Sequence, residues 1–338
     1  PAPPLDQRQF GGSLGGPIKS SRTFFFVSYE GQHSRRSITK TFSVPDASLR
    51  AGDFSGFGSI CDPSTIDAGT AVCTPFAQDK IPTDRIDPIA QEFLKNVPLP
   101  NGDSKFQNLT SVELQEKDIH QFSVRADHRL SDNDQVFARF STFDANEVQP
   151  FGTSVQEEAL VPGYGRTLDT KTRNFGISHT RTFGVSMLNE VRFGYLAVDG
   201  GQASLNAGVD FAGQVGLLGV SRNPRDVGFP QISTAGLYST MGDPATFVSR
   251  DNEHFEVYNN FLIDRGEHRF KFGGYLFHLR FRPLNADTAR GAFTYTGQWT
   301  GNALADFLLG FPTSARSGIG SGHEDARTTW LHLYAQDE

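Results

Sequence analysis

The chain has 338 residues and a formal net charge of −7; only 37% of it is hydrophobic, yet it carries 30 Phe against 25 Leu, with 35 Gly and 2 Met. It has no run of 18 apolar residues, which excludes a transmembrane helix, and an acidic balance without a block of Lys and Arg argues against a nucleic-acid partner. Abundant aromatics and Gly point to strands, because aromatic side chains suit a pleated surface and Gly weakens helix interiors.

The chain opens on Pro1-Ala2-Pro3-Pro4 and polar residues, with no signal-peptide pattern, so it reads either as cytosolic or as an internal piece of a longer exported chain. Strands are expected at 9–18 and 23–34, joined tightly around Lys19 to Arg22. A period of two is clearest next, where Phe122, Val124 and Ala126 oppose Gln121, Ser123, Arg125 and Asp127. That strand, 119–130, turns at Ser131-Asp132-Asn133-Asp134 into 134–145. Further strands are expected at 171–182, 186–199, 252–264, 268–282, 290–298 and 327–337, ten in all. In them Val191, Phe193, Tyr195 and Ala197 oppose Glu190 and Arg192, and Phe255, Val257 and Phe261 oppose Glu256 and Tyr258.

Long connections fall at 35–118, 146–170, 200–251 and 299–326, alternating with short ones. This alternation means up-and-down hairpins trimmed at one end and elaborated at the other, the design of a transmembrane β-barrel with short periplasmic turns and long extracellular loops. A soluble sandwich or propeller shares the period of two. The long loops hold helix signals: Asp87 as a cap, Pro88 at the first position and Ile89, Phe93 and Val97 spaced by four, with a similar pattern at 302–309. Both helices are expected to pack loops against the barrel rim. Phe24, Phe25, Phe26, Tyr29, Tyr195, Tyr275, Phe293 and Tyr295 are candidates for interfacial aromatic girdles, or for a sandwich core.

The ordered segments QFGGSLGGPI (9–18), TFFFVSYEG (23–31), VPDASLRAGDFS (44–55), IPTDRIDPIA (81–90), FSVRADHRLSDNDQVFARFS (122–141), NALADFLLGFP (302–312) and WLHLYAQDE (330–338) resemble successive signatures of TonB-dependent outer-membrane receptors. The group they resemble carries an N-terminal carboxypeptidase-regulatory-like domain. The resemblance spans essentially the whole chain. It implies an all-β, antiparallel barrel segment in the outer membrane of a Gram-negative bacterium, with about 10 of about 22 strands. It implies a fragment: the plug and the C-terminal strands would belong to the same parent chain. It further implies uptake of a bulky solute, unidentified from sequence, energised by TonB, ExbB and ExbD acting through the plug. No cofactor, catalytic constellation or nucleic-acid contact is expected.

In the barrel reading Arg125, Asp127, Arg129, Arg139, Glu190, Arg192, Glu256 and Lys271 face the lumen, because each would cost about 2 to 4 kcal/mol near the midplane on the lipid side. There they would contact plug, solute or water. Cys61 and Cys73 are too few for a zinc site; in an exported loop they favour a disulfide worth about 3 kcal/mol. His120 and His128 are too far apart on one strand to share an ion, and neither the Asp132-Asn133-Asp134 turn nor the glycines of 318–322 complete a calcium or phosphate loop. An outer-membrane adhesion or structural barrel and a secreted carbohydrate-binding domain are the alternative functions.

Overall fold

A computed structural model of the chain describes residues 5–19, 21–67, 69, 72–152, 160–243, 248–286, 288–318 and 322–338. Alternating apolar and polar residues produce long strands: β1 (Leu5–Lys19), β2 (Thr23–Phe42), β3 (Leu109–Arg129), β4 (Asp134–Gln149), β5 (Arg166–Phe183) and β6 (Met187–Ser204). They continue, after the short β7 (Gln231–Ser233), with β8 (Val248–Arg265), β9 (His268–Asn285) and, beyond β10 (Ala292–Thr294) and β11 (Ser314–Arg316), β12 (Ala326–Asp337). Nine of them form one antiparallel sheet in the order β1-β2-β3-β4-β5-β6-β8-β9-β12, open at both edges. Its hairpin turns are short. At the β8–β9 turn Arg265 pairs with His268, and Gly266 takes φ 65°, the left-handed backbone that a two-residue loop requires.

The pairing register sorts side chains onto two faces. One row runs through Gly16, Phe25, Ala126, Ala138, Ile177, Phe193, Val257, Leu276 and Leu331, one residue from each strand and none of them polar. Phe255, Val257, Phe272, Leu276, Leu331 and Leu333 on this face are all exposed. A contiguous exposed apolar wall of this extent has no place in water and marks a lipid contact.

Two expectations need correction. The segment 290–298 is not a wall strand: only Ala292–Thr294 is extended, between β7 and β11 in a separate three-stranded sheet. The wall therefore has nine strands, and Tyr295, alternating with its neighbours as a strand residue would, is instead buried among the loops. The strands are also longer than their sequence pattern, up to the 21 residues of β3. The outward positions of β3 pass from Ala126, Val124 and Phe122 to His120, Asp118 and Glu116, while the ladder to β2 continues unbroken. From Glu116 to His120 both faces of β3 are largely polar and the period of two is interrupted, to resume at the exposed Leu114 and Val112, while the backbone pairing is not interrupted at all.

The buried core lies away from the wall. Nearly every buried apolar residue belongs to the long connections 43–108, 150–165, 205–247 and 286–325, with Phe42, Leu109 and Leu284 joining from wall-strand ends. These connections carry α1 (Ala47–Arg50), α2 (Pro88–Leu94), α3 (Phe211–Val215) and α4 (Ala303–Leu308). Asp87 Oδ1 accepts from the N–H of Ile89 at 2.6 Å and starts α2, and Asn302 Oδ1 accepts from Leu304 N–H at 2.9 Å and starts α4. All four connections meet at Phe93, whose ring lies 6.2 Å from Tyr164, 5.7 Å from Phe211 and 6.0 Å from both Phe229 and Phe307. One cap with a single aromatic core thus covers the elaborated end of the wall, and the two expected helices, α2 and α4, pack within it.

Candidate functional site

The face opposite the apolar row is polar. By register it carries Arg125, Asp127, Arg129, Arg139, Glu190, Arg192, Glu256 and Lys271 together. The sheet divides them into pairs. Arg125 holds Asp127 in a fork, Nη2–Oδ1 2.6 Å and Nε–Oδ2 2.7 Å, with its guanidinium carbon 4.2 Å from the Phe137 ring centroid. Arg192 Nη2 donates to Glu190 Oε1 at 2.7 Å. Both pairs join residues two apart on one strand, the spacing that puts neighbours on the same face. Arg139 donates to the Asn174 amide oxygen at 3.1 Å, and Glu256 accepts from Tyr275 Oη at 3.2 Å. Lys271 reaches Glu338 at 2.6 Å near the turn end, and Arg129 sits beside the β3–β4 turn, away from this group.

Between Arg139 and Glu256 the same row passes through Gly176 and Gly194. The resulting hollow, about 700 Å³, is bounded by Arg125, Arg139, Arg192, Glu256, Tyr258 and Tyr275. In sequence Tyr258 is visible only as a polar-face residue and Tyr275 only as a girdle candidate, and Asn174 and the two glycines carry no signal, because nothing on a single strand shows that they share a row. Aligning successive hairpins on their turns would have put them in one row.

The aromatic girdle needs correction. Phe25, Tyr29 and Tyr195 lie on the apolar face, whereas Phe24, Phe26 and Tyr275 lie on the polar one, as a period of two demands of three consecutive Phe. Phe293 and Tyr295 belong to the cap. His120 and His128 bond separately, to Tyr29 and Thr23 at 2.8 Å each, and among the described residues no group of three metal-ligating side chains converges.

The cap is fastened by polar links as well as aromatics. Cys61 and Cys73 form a disulfide, Cα–Cα 5.8 Å. Arg50 donates to the carbonyls of Leu94, Val97, Pro98 and Pro45 at 2.6 to 2.9 Å, satisfying the C-terminal end of α2; burial pulls its pKa down. Asp306, fully buried, accepts from the Thr300 N–H at 2.8 Å and its hydroxyl at 2.7 Å. Asp243 and Arg290 form a buried ion pair at 3.2 Å, and Arg290 Nε also donates to the Asp226 carbonyl at 2.8 Å. Burial pushes the Asp243 carboxyl up to about 6, against the opposing pull of Ser204 and Arg290.

An open antiparallel wall, apolar on one face and charged on the other, with a cap built from its long loops, defines the class of outer-membrane β-barrel proteins. The chain belongs to the outer membrane beta barrel domain family, whose model matches residues 1–338. It resides in the outer membrane of a Gram-negative bacterium, with its apolar face against lipid. One solved structure agrees in fold. The outer membrane transporter YddB from Escherichia coli is similar over 98% of this chain and 32% of its own, with TM-score 0.50 and 8% identity. The ferric-catecholate import receptor Fiu from E. coli K12 aligns over 98% of this chain in its closed and open forms, with TM-score 0.37 for both, 11% and 12% identity, and 40% and 44% of its own length. The chain therefore spans about a third of YddB and less than half of Fiu. No curated protein matches it.

Proposed function

We propose that the chain is the N-terminal part of the barrel of a TonB-dependent transporter, which takes up a bulky solute across the outer membrane. In this reading the parent chain also supplies a carboxypeptidase-regulatory-like domain, a plug and further strands. The cap captures solute, the plug moves when TonB, energised through ExbB and ExbD, pulls on it, and the charged face lines the conduit. Arg125, Asp127, Arg129, Arg139, Glu190, Arg192, Glu256 and Lys271 are then plug or solute contacts, and the cap disulfide Cys61–Cys73 serves in the oxidising exterior.

The observation that carries this reading is the open nine-stranded wall with two chemically opposite faces. Both edges expose unpaired backbone groups, which lipid does not tolerate, so the wall requires completion. After eight successive antiparallel pairings β1 and β12 run in the same direction. Closure by antiparallel pairs therefore takes an odd number of further strands, and a total of about 22 leaves about 13.

Reading the flanking coding sequence and testing the parent against TonB decide the matter. A plug with a TonB-contacting segment upstream, and co-purification of the detergent-solubilised parent with the periplasmic domain of TonB, are expected. A parent without that segment that retains no TonB would instead be an adhesion or structural barrel.

A further inference from the structure

Of the four charged residues that line the hollow, two, Arg139 and Glu256, have no oppositely charged partner among the described residues. Asp127 neutralises Arg125 and Glu190 neutralises Arg192, both within ion-pair distance. Among the described residues Arg139 has only the neutral Asn174 amide, and Glu256 only the Tyr275 hydroxyl. The two stand on β4 and β8 in a single row, separated by Gly176 on β5 and Gly194 on β6. Three strand spacings make that row about 14 Å long.

Both side chains lean inward across the glycines. Glu256 folds back over β6, where its Oε1 lies 2.6 Å from the point a Cβ on Gly194 would occupy, so only glycine admits this posture. Arg139 leans over β5, where it meets Asn174. At Gly176 a Cβ would meet nothing closer than 3.8 Å, so the floor between them is open. Glu256 Oε2 is held by Tyr275 while Oε1 points into the hollow, and Tyr258, with its ring 6.2 Å from that of Tyr275, closes one side.

We propose that this hollow binds a zwitterionic, amino-acid-like group, its carboxylate on Arg139 and its ammonium on Glu256, with any aromatic or apolar remainder against Tyr258 and Tyr275. The site offers an unmatched cation and an unmatched anion on either side of a bare floor, so a ligand of one sign engages only one of the two. A dipolar ligand satisfies both, and the hollow falls within the usual range for small-molecule sites. The assignment deepens the transporter reading by naming the chemistry of one station along the conduit, and it rests on that reading only for placing this face toward the lumen.

The test is ligand discrimination by the full-length parent in detergent micelles, measured by isothermal titration with glycyl-phenylalanine, its N-acetyl derivative and its C-terminal amide. The dipeptide should bind at least tenfold more tightly than either capped form. Arg139→Gln should then bind the dipeptide and its amide alike, and Glu256→Gln the dipeptide and its N-acetyl form alike, a crossed pattern that loss of folding does not produce. Gly194→Val, which displaces Glu256, should weaken dipeptide binding at least tenfold. Equal binding of all three compounds by the unaltered protein, no binding at all because a segment of the same chain fills the hollow, or discrimination that survives both Gln substitutions would each overturn the proposal. TonB co-purification is read separately: lost discrimination with TonB retained contradicts this site alone, and the converse contradicts the transporter reading alone.

Discussion

Arg290 and Asp243 are each almost wholly buried in the cap, where an unpaired charge is expensive. Arg290→Ala leaves the carboxylate without its partner and should cost about 3 to 5 kcal/mol of cap stability, read as a rise in protease cleavage of 205–247. The pH response follows from the same group. The folded cap holds the Asp243 proton more tightly, at about 6, than an unfolded chain would, at about 3.9. Its stabilising contribution is therefore complete below about pH 4 and is lost as the pH rises through about 6. Arg290, Ser204, Asn206 and the Phe229 N–H face this carboxyl, and Asp226 remains beside Arg290 as a counter-charge when Asp243 is protonated. Resistance to a protease active at both pH values should thus be greater at pH 5 than at pH 7.5, and Asp243→Asn should flatten the difference. An unchanged difference in that variant assigns the pH response to another group. Nothing in the local sequence of Asp243 announces its role, because its partner lies 47 positions away.

At the scale of elements, the wall and the cap obey different rules. Phe193 lies in the apolar row, so Phe193→Arg should cost about 2 to 4 kcal/mol near the bilayer midplane and reduce the amount of assembled protein in the outer membrane. Normal assembly would mean that this face does not meet lipid. Phe93→Ala should cost about 3 to 5 kcal/mol and loosen all four connections at once, seen as faster amide exchange at Tyr164, Phe229 and Leu308 together. The wall was legible in sequence wherever lipid imposes a period of two, as along Phe122, Val124 and Ala126. It is interrupted at Glu116–His120, where both faces of β3 are largely polar, so the pattern places the start of β3 at 119 while the strand starts at Leu109. The helices at Pro88–Leu94 and Ala303–Leu308 were legible from Asp87 and Asn302 because capping is local. Convergence of Phe93, Tyr164, Phe211, Phe229 and Phe307 was not, since it depends on contacts between residues in four separate connections. The same reason hid the hollow between Arg139 and Glu256: a row across strands exists only once register is fixed.

Along its wall the molecule is apolar on one face and charged on the other, and it is conventionally packed only in its cap. Its low hydrophobic share and its excess of Phe are two sides of this arrangement: one face of each wall strand is largely polar, and most aromatics divide between the apolar face and the cap core. The central claim, that the apolar row meets lipid and the charged row meets water, is tested most directly by nitroxide scanning of β8 in the parent protein reconstituted in bilayers. One spin label at a time is placed along 254–261, and its accessibility to oxygen and to a polar nickel chelate is compared. Oxygen accessibility should peak at 255, 257, 259 and 261 and chelate accessibility at 254, 256, 258 and 260, with a period of two. A uniform profile, or one with the two sets exchanged, would contradict the account.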